Sequence, residues 1–207
     1  MKKQNFSSFT LAAAYQHLGI ETLKTWTIPD HKITPTAFFQ ERLHRLQTRF
    51  DLRYCEKSKE LLIDAFCEEA LEGIDRLKIW KGAKLESETT TGNVDYLVAP
   101  QKDYLDLPFL CIVEAKKDNF EQGLAQCLVE MKACQEQNLA QNHVIDILGI
   151  VTNGEGWRFY QLKHSNAVQE TALYSTKDAD LLLGVLRHLF IACQAQLTPQ
   201  DTTHTSG

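Results

Sequence analysis

Apolar positions recur along this chain with two different periods, and the change of period divides it. Residues 8–19 and 35–50 read as helices. In the second, Phe39, Leu43, Leu46 and Phe50 recur at helical spacing, while Arg42, Arg45 and Arg49 form a separate stripe. Pro29 and Pro35 bracket the connection between them. A third helix is predicted over about 56–73, with Leu61, Leu62, Ala65, Phe66 and Leu71 on a broad apolar face and Gly73 at its end. β-forming residues then take over. "LKIWKGAKLESET" and "NVDYLVAP" read as strands joined by a turn at Thr91-Gly92-Asn93.

"FLCIVEAK" is an unbroken apolar run, the pattern of a strand covered on both faces. Asp118 and Glu121 make a D-x-x-E capping pattern ahead of a helix that runs to about residue 137. Phe120, Leu124, Cys127, Leu128, Met131 and Cys134 mark its buried side. "ILGIVT" is the next buried strand, Asn153-Gly154-Glu155-Gly156 a turn, and "WRFYQL" the returning strand. Residues 177–196 form a last amphipathic helix, and "TPQDTTHTSG" has the composition of a disordered tail. The order of elements predicts an α/β (α+β) protein, one mixed sheet flanked by helices. An N-terminal helical extension (1–55) packs on a core domain (56–197), followed by the tail (198–207).

Composition changes this picture little. At 207 residues, 43% apolar and 24% charged, the chain has the balance of an ordinary soluble globular domain. The net charge of -5 argues against a generic cationic nucleic-acid binder, but not against an acidic site that holds a metal ion. Six cysteines without a CxxC pair suit buried thiols in a reducing cytoplasm, and seven scattered histidines lack zinc-site spacing. Met1-Lys2-Lys3 with "FTLAAAY" is too short and too interrupted for a signal peptide, and "LLLGVLRHLF" is broken by Arg187 and His188, so no membrane partner is expected.

The candidate chemistry sits where the apolar run ends in charge. On a strand, Glu114 and Lys116 point one way while Val113 and Ala115 point the other. If the preceding strand is the neighbour, Asp95 arrives at a comparable level. Two carboxylates on adjacent strands suit a hard cation such as Mg²⁺, with the Ala115 carbonyl a further candidate ligand and Lys116 placed to orient a nucleophile. A surface salt-bridge cluster is the plainer alternative. E-x-K alone carries no weight: Glu130-Met131-Lys132 repeats it inside a helix, where no catalytic role is assigned. Trp157 and Tyr160 could stack on bases, though their strand context favours the core, and Arg42, Arg45 and Arg49 are either a phosphate-facing stripe or a solvated face. Lys117 either attracts a nucleic-acid backbone or faces water.

The ordered set resembles the PD-(D/E)XK, or restriction-endonuclease-like, superfamily, whose αβββαβ core carries Asp…Glu-x-Lys. Over roughly residues 56–163, "GNVDYLVAP", "CIVEAKKDNFEQGLAQCLVEMKA" and "GIVTNGEGWRFYQL" look like stand-alone relatives of the nuclease domain of type I restriction enzymes. The resemblance implies Mg²⁺-dependent cleavage of DNA phosphodiesters, with Mn²⁺ as a substitute, in restriction, defence or repair. Many relatives are homodimers. It assigns Asp95 and Glu114 to the metal, Lys116 to catalysis, and a helical glutamine to Gln126, with Gln122 as second choice. For the acidic residue of the first core helix Glu56, Glu60, Asp64 and Glu68 all compete, Glu60 being preferred. Val94 stands where the family name has proline, and Glu130 where some relatives have tyrosine. The rival reading is a non-catalytic module of the same fold for nucleic-acid binding or protein assembly.

Overall fold

The computed structural model describes residues 3–116 and 119–198, with the backbone but not the side chain of Glu56. Lys117, Asp118 and nearly all of the C-terminal tail, on which expectations were placed above, lie outside the described residues.

Two short elements open the chain: strand β1 (Gln4–Asn5) and, after a 3-10 turn at Phe6–Ser8, helix α1 (Leu11–Leu18). Thr10 caps α1 by accepting from Ala13 N–H, and Gly19 closes it at φ 67°. Strand β2 (Lys24–Thr25) precedes helix α2 (Ala37–Arg49), capped by Thr36. Helix α3 (Glu56–Ala70) follows. The core continues with strands β3 (Leu77–Glu86), β4 (Thr90–Pro100) and β5 (Cys111–Ala115), helix α4 (Phe120–Ala140) and strand β6 (Ile147–Thr152). Strands β7 (Gly156–Leu162), β8 (Val168–Glu170) and β9 (Tyr174–Ser175) and helix α5 (Ala179–Ala195) are the last elements of the described residues.

All strands belong to one mixed sheet. Its path runs β1-β4-β5-β6-β7-β8-β2, with β3 also paired to β4 and β9 to β7. The β3–β4 and β4–β5 pairs are antiparallel, and β5–β6 is parallel, which requires the crossover that α4 supplies. One face of the sheet packs on α3 and α5 through Ile63, Phe66, Val113, Ile150, Trp157 and Leu186. The other packs on α1 and α4 through Ile112, Leu128, Met131, Val151 and Tyr160. Trp157 and Tyr160 are therefore core residues, with Trp157 Nε1 donating to Gly154 O.

Three local features differ from the sequence reading. The β3–β4 turn lies at Ser87–Thr89 and Thr91-Gly92-Asn93 lies inside β4. Ser87 and Thr90 close that turn through Ser87 N–H to Thr90 O and a hydroxyl pair at 3.0 Å. Gly92 sits in the strand because the Phe6 ring fills the place of a side chain: a Cβ there would lie 2.6 Å from Phe6 Cδ2. At the start of α4 the capping residue is Asn119, whose Oδ1 accepts from Gln122 N–H at 2.9 Å. The N-terminal 55 residues are not only helical: β1 and β2 pair with β4 and β8 and so extend the same sheet.

Candidate metal and phosphodiester site

Sheet register brings the two carboxylates together. The last β4–β5 pair is Tyr96 with Val113, and one further antiparallel step sets Asp95 opposite Glu114. Opposite Asp95 on its other side, the β3–β4 ladder skips Gly82, which takes φ 63°. Asp95 is fixed from below: its Oδ2 accepts the backbone N–H of Ala115 at 2.8 Å. Ala115 itself is buried. Lys116 N–H continues the parallel ladder to Thr152 O at 2.9 Å, which holds the lysine at the end of β5.

Alternation along β5 decides which face receives the charges. Val113 and Ala115 join the α3 side, whereas Ile112 joins the α4 side and Glu114 with it. Glu114 is fully buried beneath α4, and Lys116 Nζ stands 2.5 Å from its Oε1. Gly123 makes room for that lysine. A Cβ at Gly123 would lie 2.9 Å from Lys116 Cγ and 2.8 Å from Val151 Cγ1.

The helix adds a third carboxyl group. Glu130 is fully buried, and its Oε1 accepts from Gln126 Nε2 at 2.9 Å across one turn. Among the described residues, Glu114 Oε2 and Glu130 Oε2 have no hydrogen-bond partner beyond what the two carboxyl groups offer each other when one is protonated. Burial first, and the Asp95 charge next, push the Glu114 carboxyl up to about 8 against the opposing effects of Lys116 and of a hydrogen bond with Glu130. Burial also drives Glu130 well above the ordinary carboxylate range, with the Glu114 charge next in size. A buried acidic pocket of this kind attracts either protons or a cation.

Other candidates fall elsewhere. Gln126 is buried, bonded to the buried Glu130. Gln122 instead ties down the N-terminal segment, donating to Ser7 O and Phe9 O at 3.2 Å each. Glu60 and Asp64 project on the α3 side, where both pair with Lys81, at 3.1 and 2.9 Å. Tyr96 hydroxyl donates to Glu60 O there. Glu68 pairs with Arg42. The structure thus gathers Asp95, Glu114, Lys116 and Gln126, and it leaves Glu60 beside Lys81. Glu130 is the residue that sequence reasoning passed over. Its signal was present: it lies three residues after Cys127 and four before Cys134, on the packed side of the helix.

Among the described residues, no three His, Cys, Asp or Glu side chains are gathered into a ready-made metal cage. Mg²⁺ does not need one, since it is commonly held by one or two carboxylates plus water and substrate oxygens. The orphaned oxygen of Glu114 beside Asp95 fits such an ion. No known protein family matches the chain, and no curated protein matches it. Fold and site together define a mixed α/β protein with a carboxylate–lysine centre at the end of one central strand.

Proposed function

We propose that the protein is a Mg²⁺-dependent nuclease of the PD-(D/E)XK type that cleaves DNA phosphodiester bonds. The observation that carries the reading is the meeting of Asp95, Glu114 and Lys116 at adjoining positions of β4 and β5, with the glutamate buried and incompletely partnered. The order α3–β3–β4–β5–α4–β6 and the pairing of its strands support the resemblance.

Asp95 and Glu114 would hold the ion, with the Ala115 carbonyl as a third oxygen. The chemistry supplied there would be Lewis-acid activation of water and neutralisation of charge on the scissile phosphate. Ala115 N–H keeps Asp95 turned toward the ion position. Lys116 exchanges its partner Glu114 for the attacking water and the phosphoryl oxygens, orienting the one and countering the charge of the other. Gln126 holds Glu130 on the inner side of the site. A role in restriction, defence or repair and a homodimer are carried over with the resemblance; the cytoplasmic location rests on the cysteine pattern of the sequence.

The test is incubation of purified protein with plasmid and single-stranded DNA in Mg²⁺ or Mn²⁺, beside Lys116→Ala. Cleavage that the substitution abolishes supports the assignment; cleavage that it leaves intact places the activity elsewhere. The complete burial of Glu114 favours a second reading, a non-catalytic module for nucleic-acid binding or assembly. Under that reading calorimetry detects no Mn²⁺ binding that depends on Asp95.

A further inference from the structure

One hydrogen bond at the site has no part in the reaction proposed above. Glu130 of α4 and Glu114 of β5 are both fully buried, and among the described residues their Oε2 atoms have no partner except each other. The two side chains meet there in a carboxyl–carboxyl hydrogen bond. Two carboxyl oxygens come that close only with a hydrogen between them, because bare carboxylates repel.

Neighbouring groups decide which side chain supplies the hydrogen. Gln126 Nε2 donates to Glu130 Oε1 at 2.9 Å, so that oxygen is an acceptor and the O–H of Glu130 falls on Oε2. At the other end Lys116 Nζ stands 2.5 Å from Glu114 Oε1, which favours the carboxylate form of Glu114 over that of Glu130. Donors therefore converge on Glu114 from both sides, the lysine on Oε1 and the acid on Oε2.

The reaction takes one of these donors away. Lys116 turns from Glu114 to the attacking water and the phosphoryl oxygens, and Glu114 Oε1 is left to the ion. A glutamate has several side-chain torsions, and a buried carboxylate oxygen without a donor is costly, so a second anchor has to hold Glu114 through that exchange. Glu130 is placed for it. Gln126 fixes it in turn, and it lies on the packed side of α4 between the buried Cys127 and Cys134.

We propose that Glu130 is a positioning residue for Glu114, donating as a carboxylic acid to its Oε2 and so holding its Oε1 toward the ion; the inference rests on the metal site proposed above. Glu130 touches neither ion nor substrate. An amide serves equally in that role, since its carbonyl accepts from Gln126 and its NH2 donates to Glu114. A leucine offers no donor. A charged metal ligand, by contrast, could not be replaced by an amide, so the three cases are separable.

The experiment is calorimetric titration of Mn²⁺ into the wild type, Glu130→Gln, Glu130→Leu and Asp95→Asn at one pH, with melting followed in EDTA. Glu130→Leu should weaken Mn²⁺ binding by about tenfold or more. Its melting temperature should equal or exceed that of the wild type, because a buried acid gives way to an apolar side chain of similar size. A merely structural role predicts the opposite pairing, lower melting with unchanged affinity. Glu130→Gln should recover most of the affinity that the leucine loses. Equal affinity in Glu130→Leu and wild type overturns the proposal. A loss in Glu130→Gln as large as in Glu130→Leu also overturns it, and makes Glu130 a charged ligand. Should Glu130→Leu fail to fold, Gln126→Leu carries the comparison: a smaller loss of affinity is expected, and no loss overturns the proposal. The two readings fail separately. Mn²⁺ binding that depends on Asp95 but not on Glu130 leaves the metal site and removes the positioning residue. Binding that depends on both, without cleavage of DNA, removes the nuclease and leaves the positioning residue. No Mn²⁺ binding by the wild type removes both.

Discussion

Gln126 donates to Glu130 across one turn of α4, 2.9 Å apart, with both side chains buried directly over the strand that carries Glu114. The bond satisfies one oxygen of Glu130 and leaves the other facing the acidic pocket. Two carboxyl groups so placed in a dry interior cannot both be ionised cheaply without a cation. Several measurable consequences follow from that arrangement and from the packing that maintains it.

Removing the acid while keeping the shape should stabilise the metal-free protein. Glu130→Gln should raise its melting temperature by a few degrees, corresponding to about 1 kcal/mol. Thermal denaturation in EDTA checks this. A clear fall would mean that Glu130 is held ionised by a partner that the amide cannot replace.

Stability without divalent ions should depend on pH through Glu114. Its folded value of about 8 stands above the unfolded value of 4.5, so the folded state binds the proton more tightly. The contribution is fully present below about pH 4.5 and is lost as pH rises through 8. Glu130, raised in the same direction, adds to the trend. Urea denaturation between pH 5 and about 8.5 should show the decline, and Glu130→Gln should make it shallower. A flat profile would contradict the burial argument.

Mn²⁺ should reverse that loss and release protons as it binds. Calorimetry in two buffers of different ionisation enthalpy reads the proton count, which should fall as pH approaches 8 and above. Asp95→Asn should weaken Mn²⁺ binding by roughly tenfold or more, since it removes one of two charged ligands. Affinity unchanged by that substitution would place the ion elsewhere.

Gly123→Ala should harm catalysis more than folding. The methyl group gains about 1 kcal/mol of helix propensity, but it meets Lys116 Cγ at 2.9 Å and Val151 Cγ1 at 2.8 Å, an overpacking cost of about 1–3 kcal/mol. The lysine stem is the softer of the two, so it moves. Melting should change by only a few degrees while any Lys116-dependent cleavage falls by about tenfold or more.

Gly184→Ala should be the most damaging of these changes. A Cβ there overlaps the backbone carbonyl of His31, which a side-chain rotation cannot relieve. Loss of about 3 kcal/mol or more is expected from separating α5 from the 31–33 segment. Chemical denaturation measures it.

The sequence by itself determined most elements and their order, because the period of apolar residues reports which face of an element meets a core. It placed α2, α3, β5, α4, β6, β7 and α5 within a few residues, and it singled out Asp95, Glu114 and Lys116 from the charged end of an apolar strand. Local pattern could not place the β3–β4 turn. Thr91-Gly92-Asn93 has turn chemistry, yet Gly92 is needed where the ring of Phe6, far away along the chain, presses on β4. Nor could it show that Gln126 is buried against Glu130, or that Glu130 stands close to Glu114. Those outcomes depend on which element packs over which, and on strand register. Contacts between residues distant in sequence set both, so only the tertiary structure decided them.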